Sequence, residues 1–272
     1  NIVEAYAGNP EYRVIAVWHR KPPFEIAGVE WRQADLTNAQ SIQECLADVD
    51  IIIQAAATTS GSKDIVSRPH IHVTDNAVMN TLLLRAVHDL GIAHFVFFSC
   101  TVMYQSSDTP LCETDFDESA ELHPNYFGVG WTKIYIEKMC EFFSRQGETK
   151  FTIIRHSNIY GPHDKFDLER SHVFGATMTK VCTATDGKVT VWGTGEESRD
   201  LLYAGDLVDF VQRAVSGQTV QYGLYNCGAG AAVTIRRLVE MIVATENPEI
   251  DIEHDLSKPT IKTSLSLDCS KA

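Results

Sequence analysis

The residues best suited to chemistry fall in a few short stretches. Cys100 and Thr101 follow the apolar run 95–98 and set a thiol beside a hydroxyl. Tyr126 and Lys133 offer a phenol and an ammonium on one predicted helix. Arg155, His156, Ser157 and Asn158 follow a β-branched run and are cut off by Gly161-Pro162. His172 adds an imidazole, whose ordinary pKa lies near neutrality. His19, Arg20, Lys21, Lys180 and Arg199 are basic residues in a chain of formal net charge −13. Thiol, phenol and imidazole can carry protons, while scattered cations in an acidic protein can grip anions. The combination predicts proton transfer beside phosphorylated ligands.

Such residues need a frame that presents them at strand ends. The run 12–18 is apolar and β-rich and predicts a strand that exits into His19-Arg20-Lys21-Pro22-Pro23. Residues 29–34 predict a shorter strand ending in Asp35-Leu36-Thr37, after which Asn38 or Ser41 can cap a helix through Ala47. Residues 50–55 form a continuous apolar run, as in a parallel strand buried on both faces. Ala55, Ala56 and Ala57 at its end let a ligand approach the backbone closely. Residues 74–90 carry apolar side chains at helical spacing and stop at Gly91. A strand at 95–98, a helix within 126–143 and a strand at 151–157 continue the alternation. Beyond Ser171 the pattern predicts helices at 171–184, 206–215 and 233–244, and strands at 188–192, 199–203, 223–227 and 251–254. Alternating strands and helices predict an α/β fold with a parallel sheet and right-handed crossovers. Ligands in such sheets bind at the carboxyl ends of the strands.

Composition narrows the classes. The 272 residues suit one large α/β unit or two interleaved ones, and 44% hydrophobic content can bury a full core. The acidic balance argues against a nucleic-acid partner. No apolar run reaches the roughly 20 residues of a membrane span. The seven cysteines lack CxxC spacing, so neither a disulfide framework nor a metal site is expected, and a cytoplasmic setting fits. Residues 1–6 read as the middle of a helix and 267–272 as the start of another, so both ends read as cut.

The motifs ADL (34–36), IIIQAAA (51–57), Asn76, FVFFSCTVMY (95–104), RHSNIYGPHDKF (155–166), SHV (171–173), VWGTGEESRDLLYAGDLV (191–208), YNCGAG (225–230) and DLSKPTIKTSLSLD (255–268) follow a known order. The order resembles that of the extended short-chain dehydrogenases/reductases, the NAD-dependent epimerase/dehydratase family, over nearly the whole chain. Within it the motifs are most similar to NADP-dependent epimerase/reductases of nucleotide diphosphate sugars. The resemblance implies a Rossmann-type, doubly wound parallel sheet from residues 1–159 and 201–228. A smaller α/β substrate-binding cap would come from 160–200 and 229–272. The family's first strand and Gly-rich turn would lie ahead of Asn1. A homodimer pairing through helices 74–90 and 126–143 is also implied.

Site residues carry over one at a time. His19 and Arg20 fall where a carboxylate would bind a ribose hydroxyl, so cations there favour NADP(H) over NAD(H). Asp35, Leu36, Ala55, Ala56, Ala57 and Asn76 would line the cofactor, with His156 and Asn158 near its nicotinamide. The hydroxyl that meets the reacting oxygen falls at Cys100, or at Thr101 through a one-residue shift. Lys133 matches the lysine of the Tyr-x-x-x-Lys pair, but Val129 stands where the tyrosine belongs. Tyr126 is a substitute about 10.5 Å away along a helix, with Gly128 and Gly130 able to bend its entry. His172 would be the acid of epimerisation, and Lys180, Trp192, Arg199 and Asp255 would hold the sugar nucleotide. Val102-Met103 after Thr101 lack the Asp-Glu pair of the 4,6-dehydratases. The alternative implied by Val129 is a protein that binds both ligands without redox turnover.

Overall fold

The computed structural model describes residues 1–59, 67–166, 168, 171–258 and 263–272. Strands β3 (Ile51–Gln54), β4 (His94–Phe98), β5 (Lys150–His156) and β9 (Tyr222–Cys227) form one parallel sheet in that order. Strands β1 (Val14–Trp18) and β2 (Val29–Gln33) form a second parallel pair.

The apolar runs dictate how the sheet is covered. Side chains alternate across a strand, so Phe95, Phe97, Phe151 and Ile153 point to one face. There they pack with Ile42, Leu83, Leu84, Val87 and Ile136. Val96, Phe98 and Ile154 point to the other face and pack with Leu202, Leu207 and Val211. Helices therefore lie on both faces. Among them are α2 (Ala39–Leu46), α3 (Thr74–Leu90), α4 (Phe127–Ser144) and α6 (Ala204–Gly217). Truncating Phe95 or Phe151 would cost about 3–5 kcal/mol in such a core. The helix ends follow their residues: Asn38 caps α2 by accepting the Ser41 N–H at 3.1 Å, and α3 ends at Gly91 in the left-handed region, φ 65°. A short helix α1 (Ile2–Ala7) precedes β1.

A second apolar cluster joins β7 (Lys188–Trp192) and β11 (Asp251–Asp255), which pair in parallel, to α5 (Val173–Thr183) and α7 (Ile235–Glu246). Between the two clusters runs a small sheet of β6 (Asn158–Tyr160), β8 (Ser198–Tyr203) and β10 (Ala232–Thr234). β6 pairs with β8 in parallel and β10 with β8 antiparallel. No helix among the described residues is long and apolar enough to cross a membrane.

Two expectations need correction. The helix expected from 233 begins at Ile235, because 232–234 pair with β8 and Thr234 then caps α7 through the Arg237 N–H at 3.1 Å. The helix expected to start at 267–272 does not form. Leu267 makes a parallel bridge to Leu111. The Leu111 N–H donates to Ser266 at 3.0 Å and the Asp268 N–H to Leu111 at 2.8 Å, which hold the segment extended beside residue 111.

Candidate active site

The chain leaves β4 at Ser99, whose N–H donates to Ile154 at 2.8 Å, and turns at once. Cys100 and Thr101 lie on that turn, closed by the Tyr104 N–H donating to Thr101 at 3.1 Å. Helix α4 crosses beneath it. Lys133 on α4 donates to the Phe98 carbonyl at 2.7 Å and lies 4.7 Å from the centre of the Phe97 ring. Burial pushes the Lys133 pKa down, and the neighbouring Cys100 and Glu137 work against that. Burial pushes the Cys100 thiol up, opposed by the Lys133 charge. A thiol held up in this way stays protonated near neutrality and can donate.

Val129 lines an apolar groove of about 370 Å³ with Pro69, Val73, Pro124 and Phe127. It offers no proton. The expectation that Gly128 and Gly130 bend the entry to α4 is not met, since both are regular helical residues. They are small because the helix packs closely: a Cβ on Gly128 would lie 2.8 Å from Val73, and one on Gly130 2.8 Å from Leu122. The expectation that Tyr126 lies along the helix from Lys133 is corrected too. Tyr126 ends a separate 3-10 turn, Pro124–Tyr126, and is the N-cap of α4 at φ −107°, ψ −1°. Pro124 starts that turn without needing a backbone donor. Burial pushes the Tyr126 phenol up, while Arg199 pulls it down and Cys100 adds to the rise. Tyr126 thus shares surroundings with Cys100 and Arg199.

His156 ends β5. Its Nδ1 lies 2.8 Å from the Ser157 carbonyl, which only accepts, so Nδ1 carries the proton and Nε2 the lone pair. Burial pushes its pKa down to about 4, and the charges of Lys133 and His172 add to this. His172 precedes α5 in extended conformation and its side chain does not cap the helix. Burial lowers its pKa, Asp164 raises it and Lys165 lowers it. Charge interactions thus run between Cys100 and Lys133, Lys133 and His156, His156 and His172, and from Tyr126 to Cys100 and Arg199. Asn158 on β6 makes a long bond of 3.4 Å to the Asp200 carbonyl.

The other expected residues lie at the tips of β1 to β3, on α3, and on and around β7, β8 and β11. His19 Nε2 is 3.9 Å from Asp35. The Asp35 carboxylate accepts from the Thr37 N–H at 2.9 Å and hydroxyl at 2.7 Å, which hold its pKa down together with the charges of His19 and Arg20. Leu36 turns inward and packs on the main core. Ala55, Ala56 and Ala57 are exposed. Asn76 is buried, and its amide accepts from the Thr58 N–H at 2.9 Å and donates to Thr58 and His72 carbonyls at 2.9 Å, so it clamps the loop after β3. Lys180 donates to the Thr190 carbonyl at 2.8 Å and lies 5.7 Å from the centre of the Trp192 ring. Lys258 approaches the same ring at 5.9 Å, and Asp255 is the strand partner of Trp192. Trp192 is 47% exposed. Arg199 on β8 donates to Ser198 at 2.8 Å and Thr263 at 2.6 Å.

Sequence reading missed the network behind the site. Glu137 and Arg155 form a buried ion pair at 2.7 Å. Arg155 donates to the Tyr104 hydroxyl at 3.0 Å, which donates to Asn226 at 2.8 Å. Asp200, also buried, accepts from Ala229, Gly230 and Leu267 N–H groups at 2.8, 3.2 and 3.1 Å. An arginine at the end of an otherwise apolar strand was the available signal, since a buried charge needs a partner.

The profile of the NAD dependent epimerase/dehydratase family matches residues 1–228. GDP-L-colitose synthase of Yersinia pseudotuberculosis is 30% identical over 215 residues, covering 77% of this chain and 70% of that protein. GDP-L-fucose synthase of Escherichia coli (strain K12) is 25% identical over 241 residues, covering 84% and 75%. In fold, the chain is similar to the UDP-glucose 4-epimerase of Thermotoga maritima solved with UDP-glucose, with a TM-score of 0.85 at 20% identity, covering 99% of this chain and 86% of that one.

Proposed function

The chain belongs to the NAD dependent epimerase/dehydratase family, and from that premise we propose that it is an NADP(H)-dependent epimerase/reductase of a nucleotide diphosphate sugar, like GDP-L-fucose synthase. The observation that carries the reading is the Lys133 ammonium, which donates to the Phe98 carbonyl at the end of β4 at 2.7 Å beside the turn that bears Cys100 and is within electrostatic reach of Cys100 and of His156 at the end of β5. Protonated thiol and phenol, neutral imidazole and ammonium form a set able to exchange protons with a sugar carbon or oxygen.

The chain's residues fit a nicotinamide dinucleotide. Beyond β3 the exposed alanines carry nothing past Cβ, so a flat ligand can lie on the backbone. Among the described residues the Lys133 ammonium makes one hydrogen bond, and an ammonium has three donors. His19 and Arg20 are exposed at the tip of β1, where a 2′-phosphate would meet positive charge. When bound, the cofactor supplies the hydride. His172 holds and moves the proton of epimerisation, and Cys100, or Thr101 beside it, donates to the reacting oxygen. Tyr126 is the available phenolic acid. Lys180 and Arg199 neutralise the diphosphate, and Trp192 and Asp255 border the sugar nucleotide. The division into a cofactor domain, 1–159 with 201–228, and a cap, 160–200 with 229–272, belongs to the same reading. So does a cytoplasmic homodimer through α3 and α4, whose Val78, Leu90, Tyr135 and Phe142 are exposed.

Val129 favours one other reading, a protein that binds both ligands without turnover. A mixture of protein, NADPH and a GDP-4-keto-6-deoxy sugar separates the two. Loss of NADPH absorbance supports the reductase. Binding of both ligands by calorimetry with NADPH intact supports the binding protein, and failure to bind either ligand ends both readings. Should Tyr126→Phe leave turnover unchanged, Tyr126 is not the acid; a fall of about 100-fold is expected.

A further inference from the structure

We propose that Gln54, with Asn80 behind it, is a positioning residue that fixes the segment 55–58 so that the peptide groups of Ala57 are presented to a bound nicotinamide dinucleotide. The inference rests on the reading of the β3 end as part of the cofactor site.

Three buried amides run behind that segment. Gln54 is the last residue of β3, and Asn76 and Asn80 lie one turn apart on α3. Gln54 Oε1 accepts from the Ala56 N–H at 3.3 Å, and its Nε2 donates to the Ala56 carbonyl at 3.2 Å. Asn76 repeats the grip two residues on: it accepts from the Thr58 N–H at 2.9 Å and donates to the Thr58 carbonyl at 2.9 Å. One amide can reach both the N–H and the C=O of a residue only where the two point the same way, as they do in a strand. The two side chains therefore do what a neighbouring strand would, pairing with alternate residues. Asn80 joins them. Its Oδ1 accepts from Gln54 Nε2 at 3.1 Å, and its Nδ2 donates to the Asn76 carbonyl at 2.8 Å.

The position demands an amide. Gln54 must accept and donate side by side, which a carboxylate or an apolar side chain cannot do. Asn80 settles which end of Gln54 is the donor, since its Oδ1 only accepts. A buried polar group left without a partner is costly, so the chain of three amides holds one arrangement.

Between the two gripped residues, Ala57 turns its peptide groups the other way, because successive residues of an extended segment alternate in direction. Its N–H and C=O have no hydrogen-bond partner among the described residues, and the residue is exposed. Only a methyl group stands beside them. A free donor next to a free acceptor, aimed from behind, suits a ligand hydroxyl, which accepts and donates through one oxygen.

Amide hydrogen exchange tests this without turnover. In the free protein the Ala56 and Thr58 amides should exchange about tenfold or more slower than that of Ala57, and saturating NADPH should slow Ala57 by a similar factor. Gln54→Met keeps the length of the side chain and removes its bonds. It should speed exchange at Ala56 and raise the NADPH Kd and KM about tenfold, more than it lowers kcat, without moving the Kd of the sugar nucleotide. An Ala57 amide unmoved by bound NADPH overturns the proposal, as does an unchanged NADPH Kd in folded Gln54→Met. If that variant does not fold, the Ala57 amide of the unmodified protein decides alone. Should the unmodified protein bind no NADPH, the cofactor reading itself fails and takes the proposal with it, even with Ala56 and Thr58 protected.

Discussion

Lys133 and Glu137 lie one turn apart on the same side of α4, in different surroundings. Glu137 is 3% exposed and accepts from the Ser99 hydroxyl at 2.5 Å and from Arg155 at 2.7 and 3.1 Å. Arg155 in turn reaches Tyr104 and Glu113, and Tyr104 reaches Asn226, whose amide donates to Leu111 at 2.7 Å. Every charge there is spoken for. Lys133 has one hydrogen bond and a ring beneath it. The closed network fixes α4 against the ends of β4, β5 and β9. The open position one turn away then has a defined location and spare donors. On the proposed function, stability and chemistry are divided between neighbouring residues of one helix.

That division is open to direct test, and the largest expected effect lies on the closed side. Glu137→Ala leaves Arg155 buried without a counter-charge and should destabilise by about 3–5 kcal/mol in urea denaturation. Replacing Glu137 and Arg155 together by methionines should restore most of that. A single variant losing less than about 1 kcal/mol would mean that the network does not hold the helix.

Lys133→Met should show the reverse pattern. Its aliphatic stem is kept, so the denaturation midpoint should hardly move, while NADPH turnover falls about 100-fold, or about 2.7 kcal/mol in barrier. Equal loss of stability and turnover would erase the distinction between the two positions. A smaller effect is expected from Val129→Tyr. The groove beside Val129 is about 370 Å³, room for a phenol one turn before Lys133. Turnover should rise about tenfold, near 1.4 kcal/mol. No gain, with ligand binding intact, would show that Tyr126 or Cys100 already supplies the proton.

The open side of this comparison was legible in the sequence, and the closed side was not. His156 and His172 sit at a strand end and a helix start, marked by local breaks in apolar periodicity that a linear reading detects, while Lys133, inside α4, was reached through the spacing of the Tyr-x-x-x-Lys pair. The pairing of Glu137 with Arg155 joins residues 18 apart on different elements, and Asn226 meets Tyr104 across 122 positions. No local pattern encodes such partners, because the sheet brings them together. The same holds for the end of the chain, where pairing of Leu267 with Leu111 overrides a local helical pattern. Gly128 and Gly130 were visible but ambiguous: a glycine looks the same whether it frees the backbone or makes room for Val73 and Leu122.

Histidines extend the contrast to a milder effect. His94 is 4% exposed, and its Nε2 lies 2.8 Å from the Thr152 hydroxyl, which itself donates to Gln218 at 2.5 Å. The hydroxyl oxygen therefore accepts from His94, which is neutral and part of the structure. Burial, aided by the Lys150 charge, pushes its pKa from 6.5 down to about 4, and burial does the same to His156. Between those values the unfolded chain binds more protons than the folded one. The contribution to stability is full above pH 6.5 and is lost as pH falls toward 4. Going from about pH 7 to 5.5, above the range of ordinary carboxylates, should cost about 1 kcal/mol per histidine. Urea midpoints across that range measure it. His94→Gln keeps a donor to Thr152 but cannot titrate, so it should remove the His94 share of the slope and leave that of His156 and His172, whose pKa values burial also lowers. An unchanged slope would mean that His94 is protonated in the folded protein and that the buried hydroxyl is not accepting from a neutral ring.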